Sequence, residues 1–220
     1  MSTPFKIQDF EEYLETVRKE LPKGRIYFRG QSKLVSAGYP LKPSIGRHER
    51  LKLCTMFERE QLEREVLGVF ANHLLSYVRH LPRTEWESLA IAQHHGLPTR
   101  FMDWTTNPLV ALYFAVRQTA TDDNDKAPPS PFAITEDVIY DPPHVSPRIR
   151  AQDGLLLACH RPMEALDEKD YLEIVIPHGA HDDIRRRLDQ YGVFDKQLFP
   201  DLDGIAKWLR YRVFECNGNC

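Results

Sequence analysis

Residues 92–116 read AQHHGLPTRFMDWTTNPLVALYFAV, and this stretch decides most of the expected architecture. Gly96 is suited to end a helix, because glycine readily adopts the left-handed conformation that follows a last helical turn. Pro98 predicts an extended start for the segment Leu97–Trp104, because a proline disfavours the helical conformation in the residue before it. Thr106 or Asn107 then caps a further helix, which carries a proline in its first turn. The stretch therefore predicts a helix, an extended segment and a second helix in direct succession.

Upstream of this stretch the patterns are helical apart from one short strand. Apolar residues recur every three or four positions, which predicts amphipathic helices. The expected elements are a helix over Phe5–Leu21 capped by Asp9, a strand over Arg25–Gln31, a helical stretch over Leu51–Arg79 broken at most once, and a helix over Thr84–His95 begun by a T-x-x-E capping box.

Downstream of it strands predominate. The segment Gln118–Pro147 is irregular and holds six of the sixteen prolines. The expected elements are short strands over Phe132–Ile134 and Val138–Tyr140, a buried strand over Leu155–Cys159, a strand over Tyr171–Ile176, and helices over His181–Tyr191 and Leu202–Tyr211. Helices first and strands later favour an α+β fold, with a mixed or mainly antiparallel sheet and several flanking helices, in one domain over residues 1–220.

Composition excludes several classes of protein. The 220 residues carry 29 basic and 32 acidic side chains, which excludes a globally basic nucleic-acid coat protein. The longest apolar run is Pro108–Val116, well short of the ~20 residues of a membrane span. The acidic, polar beginning is unlike a signal peptide. Cys54, Cys159, Cys216 and Cys220 are scattered and predict neither a zinc site nor a disulfide framework. We therefore expect a cytoplasmic protein without a membrane partner.

The first polar cluster lies in the word YFRGQS. Arg29 stands at the end of the expected strand, directly before Gly30, which lets another backbone or a ligand come close. Its guanidinium can hold a phosphate or carboxylate through two parallel hydrogen bonds. The alternative is a structural ion pair, for example with Asp103. The two roles are compatible.

The second cluster covers Gln93–Thr105 and contains two adjacent histidines. His94 and His95 point about 100° apart on a helix, so they cannot hold one metal ion in the i,i+4 manner, and no metal is expected. One of them can face a cleft as an acid–base group. Helix capping or packing in the core is the alternative.

Arg100 and Asp103 are three residues apart in the same cluster. An extended segment places them on opposite faces, so each needs a remote partner if it is buried. Arg100 is a candidate anion contact. Asp103 is a candidate general base or ribose-binding group, and it can equally satisfy backbone N–H groups in a loop.

Two features of the C-terminal half are further candidates. Gln152 precedes the buried strand, and its amide can hydrogen-bond a ribose or another amide, while a simple turn is the alternative. A basic set makes this part of the chain positive, either as a solvated helix face or as a nucleic-acid contact. Its members are Arg185, Arg186, Arg187, Lys196, Lys207, Arg210 and Arg212.

The words YFRGQS, LKPSIGR, AQHHGLPTRFMDWTTNPLVALYFAV and LFPDLDG resemble the FRG domain. This bacterial and phage family is named for its Phe-Arg-Gly motif, here Phe28-Arg29-Gly30. The resemblance runs from about Arg25 to Trp208, and the proline-rich insertion at residues 118–147 is less typical of it. FRG domains occur in contexts that imply toxins or phage-defence effectors.

The order of these motifs is also similar to the ADP-ribosyltransferase plan. That likeness implies NAD as the substrate, with Arg29 holding it and Thr99 or Thr105 in the middle place. Gln152 then fills the last place, with Asp153 or Glu173 as alternatives. Gln152 departs from the family's usual acid, so it can hydrogen-bond the ribose but cannot act as a base.

The resemblance and the two clusters together define the expected site. The catalytic candidates are Arg29, Gln152, Asp103 and His94. The ligand-binding candidates are Tyr27, Gln31, Arg47, Gln93, His95, Thr99, Arg100 and Trp104. We expect three motif segments to line one cleft. They are Phe28-Arg29-Gly30, the cluster Gln93–Thr105 and the strand that follows Gln152. The expected partners are a nucleotide and a protein or nucleic-acid acceptor.

Two other functions fit the same residues. The first is a regulatory module that binds a nucleotide or nucleic acid without turnover, with Arg29 and Arg100 as anion contacts. The second is a metal-free nuclease or hydrolase in which His94 or His95 works with Asp103.

Overall fold

The computed structural model describes residues 4–21, 24–74, 76–78, 81–117, 138–143 and 146–215. The strand expected over Phe132–Ile134 and the cysteines Cys216 and Cys220 lie outside these residues. Within the described ranges, no helix is both long and apolar enough to cross a bilayer.

Helices begin and end close to the positions that the sequence signals predict. They are α1 (Phe10–Lys19), α2 (Glu49–Lys52), α3 (Met56–Leu74), α4 (Glu85–His94), α5 (Pro108–Val116), α6 (Pro147–Ala151), α7 (His181–Gln190), α8 (Asp195–Leu198) and α9 (Leu202–Arg210). Short 3-10 turns occupy Ile45–Arg47, Glu168–Asp170 and His178–Ala180, and a π-helical turn over Tyr211–Glu215 follows α9. The long helical stretch upstream is broken once, between α2 and α3, as expected.

Side-chain caps explain three of these starts. Asp9 accepts a hydrogen bond from the N–H of Glu12 at the start of α1. Thr84 accepts one from the N–H of Glu87 at the start of α4. Asn107 caps α5, whose first residue is a proline. Each cap satisfies an N–H group that a first helical turn leaves without a partner, and each prediction of these caps is confirmed.

The described strands are β1 (Phe5–Lys6), β2 (Phe101–Thr105), β3 (Val138–Tyr140), β4 (Gly154–Ala158) and β5 (Ile174–Val175). They form an antiparallel sheet in the order β2-β4-β3 and a parallel pair of β1 with β5. The α+β fold and the antiparallel sheet are therefore confirmed. β4 is buried and central, with Leu156 opposite Asp103 in the register.

Two expected strands are much shorter than predicted. In Arg25–Gln31 only Phe28 bridges to the sheet, through paired hydrogen bonds of 2.7 Å with Thr105. The chain then leaves the sheet, because Gly30 lies directly against α5. Of Tyr171–Ile176 only β5 is strand, and its partner β1 comes from the beginning of the expected first helix. That helix starts at Phe10, where its cap places it, and not at Phe5.

The main hydrophobic core joins α5 to α1 and α7. Leu112, Ala115 and Val116 of α5 are fully buried against Tyr13 of α1 and Ile184 of α7. The hydroxyl of Tyr13 also donates to the carbonyl oxygen of Pro108 over 2.8 Å. Burial of this much apolar surface makes α5 a rigid support, and the cleft described next lies along it.

Candidate functional site

A cavity of about 350 Å³ opens between the sheet, α4, α5 and α6. Sequence candidates from all three motif segments line it, so the segments do meet in one cleft. These candidates are Arg29, Gln93, His94, Asp103, Trp104 and Gln152.

The position of Arg29 follows from its two neighbours. Phe28 is buried and bridges to Thr105 at the end of β2. Gly30 lies so close to α5 that a Cβ atom there would be 2.0 Å from the carbonyl oxygen of Ala111 and 2.6 Å from Cβ of Phe114. Only glycine fits such an approach. The Phe-Arg-Gly motif thus places the Arg29 side chain between β2 and α5.

The guanidinium of Arg29 is only partly satisfied. Its Nη1 donates to the carbonyl oxygen of Asp103 over 2.6 Å. Its Nε is inaccessible to solvent and has no hydrogen-bond partner among the described residues. Burial lowers the pKa of Arg29, Asp103 opposes that shift, and the positive charge of Arg47 adds to it. A half-buried guanidinium that lines the cleft without a full set of hydrogen bonds fits a site that takes an anionic group.

A short relay of side chains orients the Asp103 carboxylate. Thr99 is fully buried, accepts from the N–H of Phe101 over 3.1 Å, and donates its hydroxyl to Oε1 of Gln93. Gln93 is thereby oriented with its amide nitrogen outward, and Nε2 donates to Oδ1 of Asp103 over 2.8 Å. Asp103 is the exposed residue of an otherwise buried strand. One carboxylate oxygen therefore remains available to the cleft.

His94 lies at the end of α4 and also lines the cleft. Burial lowers its pKa, and the positive charges of His95 and Arg148 lower it further. The Ser146 hydroxyl lies 3.3 Å from Nε2. His95 is exposed and contacts the His94 ring edge-on, with centroids 5.1 Å apart. At neutral pH His94 is therefore a neutral hydrogen-bonding group.

Aromatic rings and guanidinium groups form one wall of the cleft. Phe114 and Phe199 meet edge-on, with ring centroids 6.0 Å apart. The Arg117 guanidinium lies over both rings. Arg148 lies over Phe199 as well, and its Nε donates to Oδ2 of Asp201 over 2.8 Å. The wall combines apolar surface with positive charge.

Gln152 lines the cleft, but its amide is already engaged. Nε2 donates to the carbonyl oxygen of Leu198 over 3.0 Å. The main-chain carbonyl oxygen of Gln152 accepts from the Thr105 hydroxyl over 2.7 Å. Gln152 therefore joins the sheet to α8. The two alternatives for the last catalytic place lie elsewhere, because Asp153 lines a neighbouring cavity and Glu173 hydrogen-bonds the Phe5 N–H through its main chain.

Several ligand-binding candidates lie away from the cleft. Arg100 forms a two-pronged ion pair with Glu63 of α3, with Nε 2.9 Å from Oε2. Gln31 donates to the carbonyl oxygens of Lys33 and Tyr39. Arg47 is exposed and donates to the carbonyl oxygen of Lys42. Tyr27 packs against a separate hydrophobic cluster that includes Trp104 and Leu157, and the Arg25 guanidinium lies over its ring.

The cleft also contains aromatic and basic residues that were not among the candidates chosen from the sequence, namely Phe114, Arg117, Arg148 and Phe199. Phe114 belongs to the long apolar run and Phe199 to the word LFPDLDG. Both words stand out in the sequence, but a phenylalanine in an apolar run indicates a core position before it indicates a ligand site. Arg117 and Arg148 carried no sequence signal of their own.

Residues 24–124 match the family model of the FRG domain. These residues carry an FRG domain. The match includes Arg29, Gln93, Asp103 and Arg117, whereas Gln152 and the remaining cleft residues of the C-terminal half lie beyond it. No curated protein and no solved structure matches the chain.

Proposed function

We propose that the FRG domain binds NAD in this cleft and releases nicotinamide from it, as an ADP-ribosyltransferase or an NAD glycohydrolase. The observation that carries the proposal is that the Arg29 guanidinium and a carboxylate with a free oxygen, that of Asp103, line the same cleft. NAD offers groups of both signs, since its pyrophosphate is anionic and its nicotinamide ring is cationic.

Binding draws on the walls of the cleft. The Arg29 guanidinium is matched to a phosphate oxygen because its donors are rigid and planar. Flat aromatic surface is supplied by Phe114, whereas Trp104 is buried in the core behind the cleft. Stacking on such rings is tolerant of which base or nicotinamide is present.

In the reaction, the bond between ribose C1′ and the nicotinamide nitrogen breaks, and its electron pair leaves with neutral nicotinamide. The ribose is left with oxocarbenium character, which the Asp103 carboxylate stabilises electrostatically. Water or an acceptor group then attacks C1′, and its proton passes to the free carboxylate oxygen. The Thr99–Gln93 relay holds that carboxylate in place before the charge develops.

Nicotinamide release by the purified chain tests the proposal, with and without cell lysate. Arg29→Gln is compared with Arg50→Gln, which removes an exposed guanidinium on α2. Release from the chain alone indicates a glycohydrolase, and release that needs lysate indicates a transferase. In either case Arg29→Gln abolishes it and Arg50→Gln does not. Absence of release in both conditions overturns the proposal.

A binding module without turnover is the second candidate. It is favoured by Gln152, whose amide is engaged with Leu198 and is not free to promote bond cleavage. The same assay separates the two functions, because a module of this kind is stabilised by NAD or ADP-ribose in a thermal melt and releases no nicotinamide.

A further inference from the structure

Arg117 is a cation at the edge of the cleft that the proposed chemistry does not use. It follows the last residue of α5, and its N–H caps that helix through the carbonyl oxygen of Tyr113. Its guanidinium carbon lies 5.1 Å from the ring centroid of Phe114 and 5.2 Å from that of Phe199. Two aromatic faces therefore hold the group in one place.

The charge of Arg117 is not neutralised by any carboxylate of the described residues. Arg148, which lies over the same Phe199 ring, is paired with Asp201. The cleft thus presents two uncompensated guanidinium groups, those of Arg29 and Arg117, and one carboxylate, that of Asp103. This balance favours a ligand that brings more than one negative charge.

The segments that carry the two uncompensated cations meet at Phe114 of α5. Gly30, next to Arg29, approaches α5 so closely that its Cβ position is 2.6 Å from Cβ of Phe114. Phe114 in turn carries the Arg117 guanidinium over its ring. A stacked guanidinium keeps its edge N–H groups free, and those donors can take phosphate oxygens in pairs.

We infer that Arg117 and Arg29 form a pyrophosphate subsite, in which each guanidinium takes one phosphate of a dinucleotide. The inference rests on the binding step of the proposed function and not on nicotinamide release. In this subsite, Arg117 makes the cleft prefer a ligand with two linked phosphates to a ligand with one phosphate. Arg29 is held by the main chain of Asp103, and Arg117 is held by two rings, so both are positioned before the ligand arrives.

Calorimetric titration with ADP-ribose and with AMP tests the subsite. Arg117→Gln is expected to weaken the binding of ADP-ribose about tenfold or more, because a charge-assisted hydrogen bond is lost. Its affinity for AMP is expected to change little. Arg117→Lys keeps the charge without the paired donors. Its affinity for ADP-ribose is expected to lie between those of the wild type and Arg117→Gln. Arg150→Gln, which removes a guanidinium lining the neighbouring cavity, is the matched control and is expected to bind both ligands as the wild type does.

Three outcomes overturn the inference. They are no binding of ADP-ribose by the wild type, unchanged binding in Arg117→Gln, and an equal loss of ADP-ribose and AMP in that variant. A thermal melt of each variant confirms that it is folded, and Arg117→Lys repeats the test if Arg117→Gln is not. Nicotinamide release is measured separately, so a chain that binds ADP-ribose through Arg117 without releasing nicotinamide supports the subsite and contradicts only the proposed catalysis.

Discussion

The guanidinium of Arg29 is held by the main chain of Asp103 and not by its carboxylate. Nη1 lies 2.6 Å from the Asp103 carbonyl oxygen, whereas Oδ1 accepts from Gln93 over 2.8 Å. The cation and the carboxylate of the cleft are therefore supported by different partners. A substitution at one of them is not expected to displace the other, which allows their roles to be separated by mutation.

Asp103→Asn is expected to lower the rate of nicotinamide release about 100-fold, because it removes the negative charge that stabilises the oxocarbenium-like ribose. The main-chain contact with Arg29 stays, so ADP-ribose affinity and the melting temperature stay close to those of the wild type. Initial rates at saturating NAD measure the effect. Asp153→Asn is the matched control and is expected to retain full activity. An equal loss in both variants contradicts this role for Asp103.

Arg29→Met is expected to leave the free energy of unfolding within about 1 kcal/mol of the wild type, because burying a partly satisfied cation costs about as much as its hydrogen bond contributes. Arg100→Met is expected to cost about 3 kcal/mol, since it leaves the carboxylate of Glu63, only 11% exposed, without its partner. Urea denaturation measures both. A larger loss of unfolding free energy in Arg29→Met than in Arg100→Met would show that Arg29 stabilises the fold, contrary to this prediction.

Gly30→Ala is expected to destabilise the fold by about 3 kcal/mol, because the added methyl group meets the backbone of α5 at 2.0 Å and that helix cannot move aside. Gly68→Ala is the control. A methyl group at Gly68 in α3 meets nothing within 4 Å, and alanine favours the helix by about 1 kcal/mol. In thermal melts, Gly30→Ala is expected to lower the melting temperature and Gly68→Ala to raise it. A Gly30→Ala chain as stable as the wild type contradicts the close approach.

Glu173→Gln is expected to stabilise the chain at neutral pH. Burial raises the pKa of Glu173, although the Val35 N–H opposes the shift. Oε1 is inaccessible and has no partner among the described residues. In the wild type, stability is therefore lost as pH rises above the ordinary value of 4.5 towards the raised pKa of the folded state. The variant lacks that loss.

Unfolding free energies from pH 4 to 8 give the measurement for Glu173. The gain in Glu173→Gln is expected to be small near pH 4 and to grow as pH rises. Glu20→Gln, at an exposed carboxylate at the end of α1, is expected to show no such growth. A gain that is the same at every pH shows that the charge of Glu173 is not the cause.

Local signals predicted the helices well, because a cap acts over three or four residues. Asp9, Thr84 and Asn107 each hydrogen-bond an N–H group within their own first turn. The strand expected at Arg25–Gln31 had no such local basis. Its residues favour a strand, but a strand exists only where a partner continues beside it, and Gly30 leaves the sheet for α5.

The cleft could be predicted from the sequence only in part. Arg29 and Asp103 stand in conspicuous motifs, and the expectation that their segments meet agrees with the lining of the cavity. Arg117 becomes a cleft residue through the ring of Phe199, which lies far along the chain. Arg148 depends in the same way on Asp201. Contacts of that range follow from the packing of α5 and α6 against α8, and no local pattern encodes them.

The central place of β4 has a consequence for synthesis of the chain. β2 is made before its partner strand, and apart from the single bridge to Phe28 it has no neighbour in its sheet until Gly154–Ala158 emerges from the ribosome. The aromatic wall is completed later still, by Phe199. A growing chain that already displays the Phe-Arg-Gly motif therefore lacks a complete ligand cleft until Phe199 has been translated.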